Sequence, residues 1–184
     1  MSKIFINPGH YPGIDPGAVN DDYEVCEADI ALDIGRRVSA YLTAAGCNVQ
    51  ILQSNNLCGE YPAHASIVDS ANEWGADLFV SIHCNAAANP AAKGTECLVF
   101  SDFTSSARAA LCVQKQIVDS LGTTDRGVKE RPGLAVLRRT SMPAVLVELA
   151  FISNTDDCCL LLEQPDEFAR AIARGVTDYL QKEK

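Results

Sequence analysis

Short apolar segments alternate with longer segments of helical periodicity along this chain, and this alternation constrains the fold more than any other feature. The short segments are typical of buried strands, and most of the longer ones can form crossover helices. This order predicts a single α/β domain with a mostly parallel central sheet flanked by helices on both faces. The predicted strands cover residues 3–7, 49–52, 78–83, 95–100 and 144–149, and the predicted helices cover residues 24–45, 63–74, 107–121 and 165–180.

Length, charge and cysteine usage limit the possible functions. The 184 residues fit one domain, and the formal net charge of −9 argues against general nucleic-acid binding, which needs a basic surface. No apolar run is long enough to insert across a bilayer, and the N-terminal residues lack a signal-peptide pattern. The eight cysteines show no zinc-ribbon spacing. We therefore expect one domain over residues 1–184, made in a reducing cytoplasm with its thiols unpaired.

Three chemically active side chains lie at or just past the ends of predicted strands. His10 follows the first strand, His83 ends the third, and Glu148 lies near the end of the last. Because ligands gather at the carboxyl ends of parallel strands, these side chains should emerge at one edge of the sheet. The helix after the first strand begins at the same edge, and its first turns contain Glu27.

Glu27 competes with Glu24 for a place at this edge, and helix geometry separates them. At 100° per residue, Glu27 lies within about 40° of the apolar stripe that contains Ile34 and Val38, whereas Glu24 is rotated about 60° to the side. A carboxylate that faces the core is costly unless it is paired or binds a metal. Glu27 is therefore the better candidate ligand.

These residue types match a catalytic zinc site. Two imidazoles and one carboxylate hold zinc while leaving a coordination position for water, whose pKa the metal lowers. We predict one Zn²⁺ ion held by His10, Glu27 and His83. Glu148 lies in an otherwise apolar strand, and a carboxyl group buried there suits a residue that accepts and then donates a proton. The combination predicts a zinc hydrolase.

Each of these residues also has a structural interpretation. A lone histidine is more often structural or solvated than a ligand, and a glutamate at a helix start commonly interacts with the helix dipole. Glu148 could instead form a buried ion pair with an arginine of the basic segment that precedes its strand. That segment contains Arg126, Lys129, Arg131, Arg138 and Arg139. If the segment is functional, we expect Arg131 to bind a carboxylate of a peptide substrate near the metal.

Cys84 and His64 are not expected to take part in the chemistry. Cys84 follows His83 directly, but consecutive strand residues face opposite sides, so the pair cannot form a Cys-His nucleophile. His64 has no carboxylate pattern around it and is interpreted as a surface or helix residue.

Several segments resemble the zinc-dependent N-acetylmuramoyl-L-alanine amidases of the amidase-3 family. They are INPGHYPGIDPGA around His10, EADIALDIGRRV from Glu27, ADLFVSIHCNA around His83, GTEC, and PAVLVELAFISN around Glu148. The resemblance covers essentially the whole chain and implies the same zinc ligands, the same catalytic carboxylate and a mixed sheet. The implied reaction is hydrolysis of the amide between the lactyl group of N-acetylmuramic acid and L-alanine of the peptidoglycan stem peptide.

Other functions are compatible with the same site, and the chain departs from the family's sequence pattern at one pair of residues. A zinc peptidase or carboxypeptidase acting on wall peptides would use the same site, and a non-catalytic peptidoglycan-binding protein could retain it as a relic. The threonine-arginine pair typical of the family is replaced by Gln53-Ser54, which puts substrate contacts in doubt. The lack of a signal peptide and of wall-binding repeats predicts a monomeric catalytic domain from a phage endolysin or a truncated bacterial lysin, acting at the cell wall.

Overall fold

Six strands form the central sheet, and the four inner strands are buried along the predicted apolar segments. The computed structural model of the protein describes residues 1–183. The strands are β1 (Lys3–Pro8), β2 (Val19–Asn20), β3 (Val25–Cys26), β4 (Asn48–Ile51), β5 (Leu78–Asn85), β6 (Thr95–Val99), β7 (Asp125–Glu130) and β8 (Ala144–Phe151). The sheet has the order β4-β1-β5-β8-β6-β7, and β2 pairs with β3 as a separate hairpin. The β6–β8 pair is antiparallel and the other four pairs of the sheet are parallel.

Six helices cover the two faces of the sheet unequally. They are α1 (Glu27–Ala44), α2 (Ile67–Trp74), α3 (Ser105–Leu121), α4 (Ala135–Arg138), α5 (Thr155–Glu163) and α6 (Pro165–Lys182). Alternate strand residues point to opposite faces. On one face, residues such as Val80 and Val147 pack in a large core with side chains of α1, α3 and α6. On the other face, Phe79 and Leu146 pack with residues of the short helices α2 and α4.

The smaller core on the α2 side lies toward the amino ends of the parallel strands. Phe79 and Leu146 belong to it, whereas His83 and Glu148 follow them on the same face, four and two residues further along. The carboxyl ends of β5 and β8 are therefore less covered on this face, and this is where polar side chains lie.

The predicted α/β fold is confirmed, with two helix starts displaced. Helix α1 begins at Glu27 rather than at residue 24, because residues 25–26 pair with residues 19–20 as a hairpin. Helix α2 begins at Ile67 rather than at residue 63, and the Ser66 side chain caps it by accepting a hydrogen bond from the Asp69 N–H. In both cases local hydrogen bonds, those of the hairpin before α1 and that of the Ser66 cap before α2, make the helix start later than its periodicity predicts.

Besides the short β2–β3 hairpin and the four-residue helix α4, strand β7 and helix α5 were not predicted. Strand β7 has the sequence DRGVKE, which lacks apolar alternation, and it forms the edge of the sheet next to β6. Charged residues are typical of edge strands, because they discourage pairing with other chains. Helix α5 is short and weakly amphipathic. None of the helices within residues 1–183 has the length and apolar character to cross a bilayer, and each of the eight cysteines is a free thiol.

Candidate metal centre and active site

The register of three strands aligns polar side chains across one face of the sheet. In the parallel β5–β8 pair, His83 lies opposite Glu148, and in the antiparallel β6–β8 pair, Glu148 lies opposite Glu96. Residues that lie opposite each other share a face, with Cβ atoms about 5 Å apart. His83, Glu148 and Glu96 therefore form one row across three neighbouring strands.

His10 and Glu27 join this row at the His83 end. His10 follows β1, and Glu27 is the first residue of α1. The His10 Nε2 atom lies 3.1 Å from Glu27 Oε2, and the His83 Nδ1 atom lies 2.9 Å from Glu27 Oε1. One possible ligand atom from each residue lies within 4.8 Å of the other two. The predicted metal ligands are thus brought together around one point, and the Glu27 carboxylate bridges the two imidazoles.

Hydrogen bonds from the backbone hold the Glu27 carboxylate in place. Its Oε2 atom accepts from the Ala18 N–H at 3.0 Å, and its Oε1 atom accepts from the Cys84 N–H at 3.0 Å. Burial opposes ionisation of Glu27, but the hydrogen bonds with His10 and His83 outweigh it and lower the pKa of the carboxyl group well below its usual value. Glu27 is therefore an ionised carboxylate although only 4% of the residue is exposed.

His10 is held on its other side by Asp15. Its Nδ1 atom lies 2.9 Å from Asp15 Oδ2. The hydrogen bond to Glu27 raises the pKa of His10 to about 9, with a smaller contribution from Asp15 and against the effect of burial. A carboxylate behind a ligating imidazole fixes the ring orientation and makes it a better metal ligand. The arrangement attracts positive charge, which a proton supplies when no metal is present.

The donor set fits a zinc ion. Neighbouring ligand atoms of a tetrahedral zinc site lie about 3.3 Å apart, given zinc–nitrogen bonds of about 2.0 Å. The separations of 3.1 Å from His10 to Glu27 and 2.9 Å from His83 to Glu27 are close to this value, and each joins a different oxygen of the carboxylate. Two glycines pack directly against the ligands: a Cβ atom at Gly9 would collide with the His83 ring, and one at Gly17 would lie 2.6 Å from Glu27 Oε2. The loops are thus shaped closely around the ligand side chains.

Glu148 has the character expected of a proton carrier. Its Oε2 atom is shielded from solvent, and no hydrogen-bond partner for it lies among residues 1–183. Burial, helped by the charges of Glu27 and Glu96 and opposed by those of His83 and His10, raises the pKa of Glu148 to about 7. Among residues 1–183, Glu148 forms no ion pair with an arginine of the basic segment, which was the structural alternative, and Arg126 binds a different carboxylate.

That carboxylate belongs to Glu96, which sequence reasoning missed. Glu96 is buried, and its Oε2 atom accepts hydrogen bonds from Arg126 Nε at 2.9 Å and from Lys129 Nζ. Its Oε1 atom accepts from Asn85 Nδ2 at 3.2 Å. Burial alone would raise the pKa of Glu96, but the bonds from Lys129 and Arg126 lower it. A parallel β6 would have carried Glu96 to the far edge of the sheet, so only knowledge of the antiparallel pairing places it beside Glu148.

The structure does not bring Arg131 to the metal ligands. Strand β7 runs parallel to β6 and therefore antiparallel to β8, so its carboxyl end lies at the edge opposite that of β5 and β8. Arg131 follows that end, and its side chain is exposed and donates to the Glu130 carbonyl. Arg126 lies at the start of β7, on the side of Glu148. His64 lies before α2, and its ring is 5.4 Å from that of Tyr11.

Comparisons with known proteins agree with this geometry. The chain is 36% identical over 180 residues to the N-acetylmuramoyl-L-alanine amidase LytC of Bacillus subtilis (strain 168), a match that covers 96% of this chain and 35% of LytC. It is also 36% identical over 184 residues to the endolysin of Bacillus phage SPP1, covering 95% of this chain and 64% of the endolysin. The chain thus spans between about a third and two thirds of the length of these relatives.

The fold and the family are shared with solved structures. The amidase AmiC2 of Nostoc punctiforme superposes with a TM-score of 0.86 at 32% identity, covering 98% of this chain and 97% of AmiC2. The family model described as N-acetylmuramoyl-L-alanine amidase (Amidase_3) matches residues 4–178. This range includes His10, Glu27, His83 and Glu148 together with all strands of the sheet except the first residue of β1. The chain belongs to the Amidase_3 family of N-acetylmuramoyl-L-alanine amidases.

Proposed function

We propose that the chain is a zinc-dependent amidase of bacterial peptidoglycan. The bond cut would be the amide between the lactyl group of N-acetylmuramic acid and L-alanine of the stem peptide. The strongest support is the meeting of His10, Glu27, His83 and Glu148 at one sheet edge in a chain of this family. The similarity to LytC, an N-acetylmuramoyl-L-alanine amidase, and to the SPP1 endolysin supports this choice of substrate and action at the bacterial cell wall.

Two of the three ligands have supporting contacts from residues outside the ligand set. His10, Glu27 and His83 would hold the zinc ion, which when bound would lower the pKa of water and polarise the scissile carbonyl. Asp15 orients the His10 ring through Nδ1. The N–H groups of Ala18 and Cys84 orient the Glu27 carboxylate. A carboxylate held in this way keeps its position whether or not both imidazoles donate to it.

Glu148 would carry the proton through the reaction. As a carboxylate it would take a proton from the attacking water, and as a carboxylic acid it would give that proton to the departing amine of L-alanine. Burial raises the pKa of Glu148, and the charge of a bound zinc ion would lower it, a balance that suits a group that accepts and then returns a proton. Its place opposite His83 on β8 sets it beside the ligands without the need for a moving loop.

We assign the carboxylate-binding role to Arg126 rather than to Arg131. Arg126 lies at the Glu148 end of β7, its guanidinium stacks 4.8 Å from the centroid of the Phe151 ring, and about a third of its side chain is exposed. Together with Lys129 it places two positive charges beside the single negative charge of Glu96. The surplus positive charge would attract a carboxylate of the stem peptide.

The identity of the released products tests the proposed reaction. Purified peptidoglycan is incubated with the protein, and the soluble products are identified by mass spectrometry. Stem peptides with a free L-alanine amine are expected, and their release should stop with a chelator and return with added zinc. Cleavage between two amino acids would instead identify a peptidase.

The non-catalytic alternative predicts binding to peptidoglycan without product release. Glu148 argues against it, because a shielded carboxylate oxygen without a partner destabilises a strand and a binding module would not need one. Peptidoglycan that is retained but not cut by the zinc-loaded protein would establish that alternative.

A further inference from the structure

One side chain outside the ligand set joins the two segments that carry His10 and Glu27. Gln53 follows the edge strand β4 and is partly buried. Its Nε2 atom donates to the Gly9 carbonyl at 3.0 Å and to the Ala28 carbonyl at 2.9 Å. Gly9 directly precedes His10, and Ala28 directly follows Glu27.

The bond to Gly9 acts on the peptide group that orients His10. The Gly9 carbonyl belongs to the peptide plane between Gly9 and His10, and rotation of that plane changes φ of His10. This φ is 60°, a left-handed value that costs a non-glycine residue about 1 kcal/mol or more. The Gly9 N–H donates to the Ile82 carbonyl at 2.8 Å, so Gly9 is held from both sides. Without the Gln53 bond, the strained conformation of His10 would lose one of its supports.

The bond to Ala28 acts on the first turn of α1. Here the Glu27 N–H donates to the Ala18 carbonyl at 2.8 Å and the Ala28 N–H donates to the Pro16 carbonyl at 3.1 Å. Both donors of Gln53 sit on one nitrogen, about 120° apart, so the Gly9 and Ala28 oxygens must stay within about 5 Å of each other. Gln53 therefore sets the spacing between the His10 loop and the start of α1.

We infer that Gln53 is a positioning residue for the metal centre, which holds His10 and Glu27 at the spacing that a divalent cation requires. This inference rests on the proposed zinc site. The role of Gln53 differs from general stabilisation of a loop, because the two carbonyls that accept its hydrogen bonds belong to residues next to the ligands His10 and Glu27.

The test replaces Gln53 by a side chain of similar length without donors. Zinc affinity of wild type and Gln53→Met is measured by competition with a chromophoric chelator, and the visible spectrum of the Co²⁺-loaded proteins reports coordination geometry. The variant should bind zinc about 10-fold or more weakly, as is typical when a supporting contact of a ligand is lost. Its Co²⁺ spectrum should change as well.

Gln116→Met is the matched control. Gln116 Nε2 donates to Asp178 Oδ2 at 2.7 Å and joins α3 to α6, away from the ligands. Gln116→Met should keep the zinc affinity and Co²⁺ spectrum of wild type, and the metal-free forms of both variants should melt within a few degrees of each other. Equal zinc affinity in Gln53→Met and wild type would overturn the inference, as would a Gln53→Met protein that melts far below Gln116→Met. A wild-type protein that binds no zinc would instead overturn the proposed function.

Discussion

His83 and Glu148 lie directly opposite each other on the parallel strands β5 and β8. One residue is a proposed metal ligand and the other a proposed proton carrier, so backbone pairing alone sets the spacing between the two roles. The same row reaches Glu96 on β6. A site built on paired strands keeps its geometry better than one built on loops. Only His10, among the four proposed functional residues, lies in a loop. The bond from the Gly9 N–H to the Ile82 carbonyl supports this loop, and Asp15 holds the His10 ring.

Replacement of Glu148 by glutamine should remove turnover and leave the metal in place. The amide cannot take a proton from water, so kcat should fall by about 10² to 10⁴. The zinc content, measured by atomic absorption, should equal that of wild type, because Glu148 is not among the three ligands. Glu167→Gln, at an exposed position of α6, is the control and should retain full activity. Unchanged kcat in Glu148→Gln would assign proton transfer to another group.

The metal-free protein should lose stability as the pH rises from about 6.5 to about 9. In the folded state the pKa of His10 is raised to about 9, chiefly by its hydrogen bond with Glu27, from an ordinary value of 6.5. The folded state therefore holds this proton more tightly than the unfolded chain does. The resulting stabilisation is fully present below pH 6.5 and is lost as the pH passes through 9.

Thermal melts in the presence of a chelator, between pH 6 and pH 10, measure this effect. Glu27→Gln removes the carboxylate that holds the proton, so its melting temperature should depend less on pH over this range. The difference between the two curves isolates His10 from other groups that titrate there. Parallel curves would show that His10 and Glu27 are not coupled in the folded protein.

Zinc binding at pH 7.5 should release about one proton. His10 is protonated in the metal-free protein at this pH, since its pKa is raised to about 9, and a ligating imidazole must give up that proton. Titration calorimetry in two buffers with different ionisation enthalpies measures the release as a difference in apparent binding enthalpy. In Asp15→Asn, which keeps all three ligands but removes a carboxylate that raises the pKa of His10, the released fraction should be smaller. An equal release in both proteins would assign the proton to another ligand.

Local periodicity is enough to predict three features from sequence: the fold class, the ends of the strands, and the apolar face of α1. His10, His83 and Glu148 each end or follow an apolar segment, and the buried position of Glu27 follows from its alignment with Ile34 and Val38. The direction of β6 and β7 could not be predicted, since it depends on which edge the chain returns to after β5. Without the direction of β6, the position of Glu96 opposite Glu148 could not be predicted.

The same unknown misplaced the basic segment. Arg131 is close in sequence to β8, which carries Glu148. Because β7 runs antiparallel to β8, however, Arg131 lies at the edge of the sheet opposite the metal ligands. The sequence alone shows that Gln53 departs from the family pattern, since Gln53-Ser54 replaces the typical threonine-arginine pair. Its bonds to Gly9 and Ala28 depend on three segments that meet only in the folded protein.

Alanine substitutions at Arg126 and Arg131 should separate the two assignments. Arg126→Ala should raise KM for peptidoglycan fragments by about 10-fold, the effect of one lost charged hydrogen bond. Lys129 still binds Glu96 in this variant, so kcat should change less than KM. Arg131→Ala, at the far edge, should leave both constants within about twofold of wild type. A larger KM effect from Arg131→Ala than from Arg126→Ala would restore the role to Arg131.

Cys84 should be dispensable for catalysis despite its position next to His83. Its side chain is buried in the core on the α1 side of the sheet, the face opposite that of His83. Burial raises the pKa of its thiol well above the ordinary value, so it is not a nucleophilic thiolate at neutral pH. The Cys84 N–H, which donates to Glu27, is retained in any non-proline variant.

Cys84→Ala should therefore keep kcat and zinc affinity and lose about 1 kcal/mol of unfolding free energy, because a group the size of a methylene leaves the core. Activity assays and urea denaturation measure the two quantities. Cys47→Ala, which removes a buried thiol remote from the ligands, should lose a similar stability and serves as the control. If Cys84→Ala folded and bound zinc as the control does but lacked activity, the thiol would have a chemical role that its position on the core face excludes.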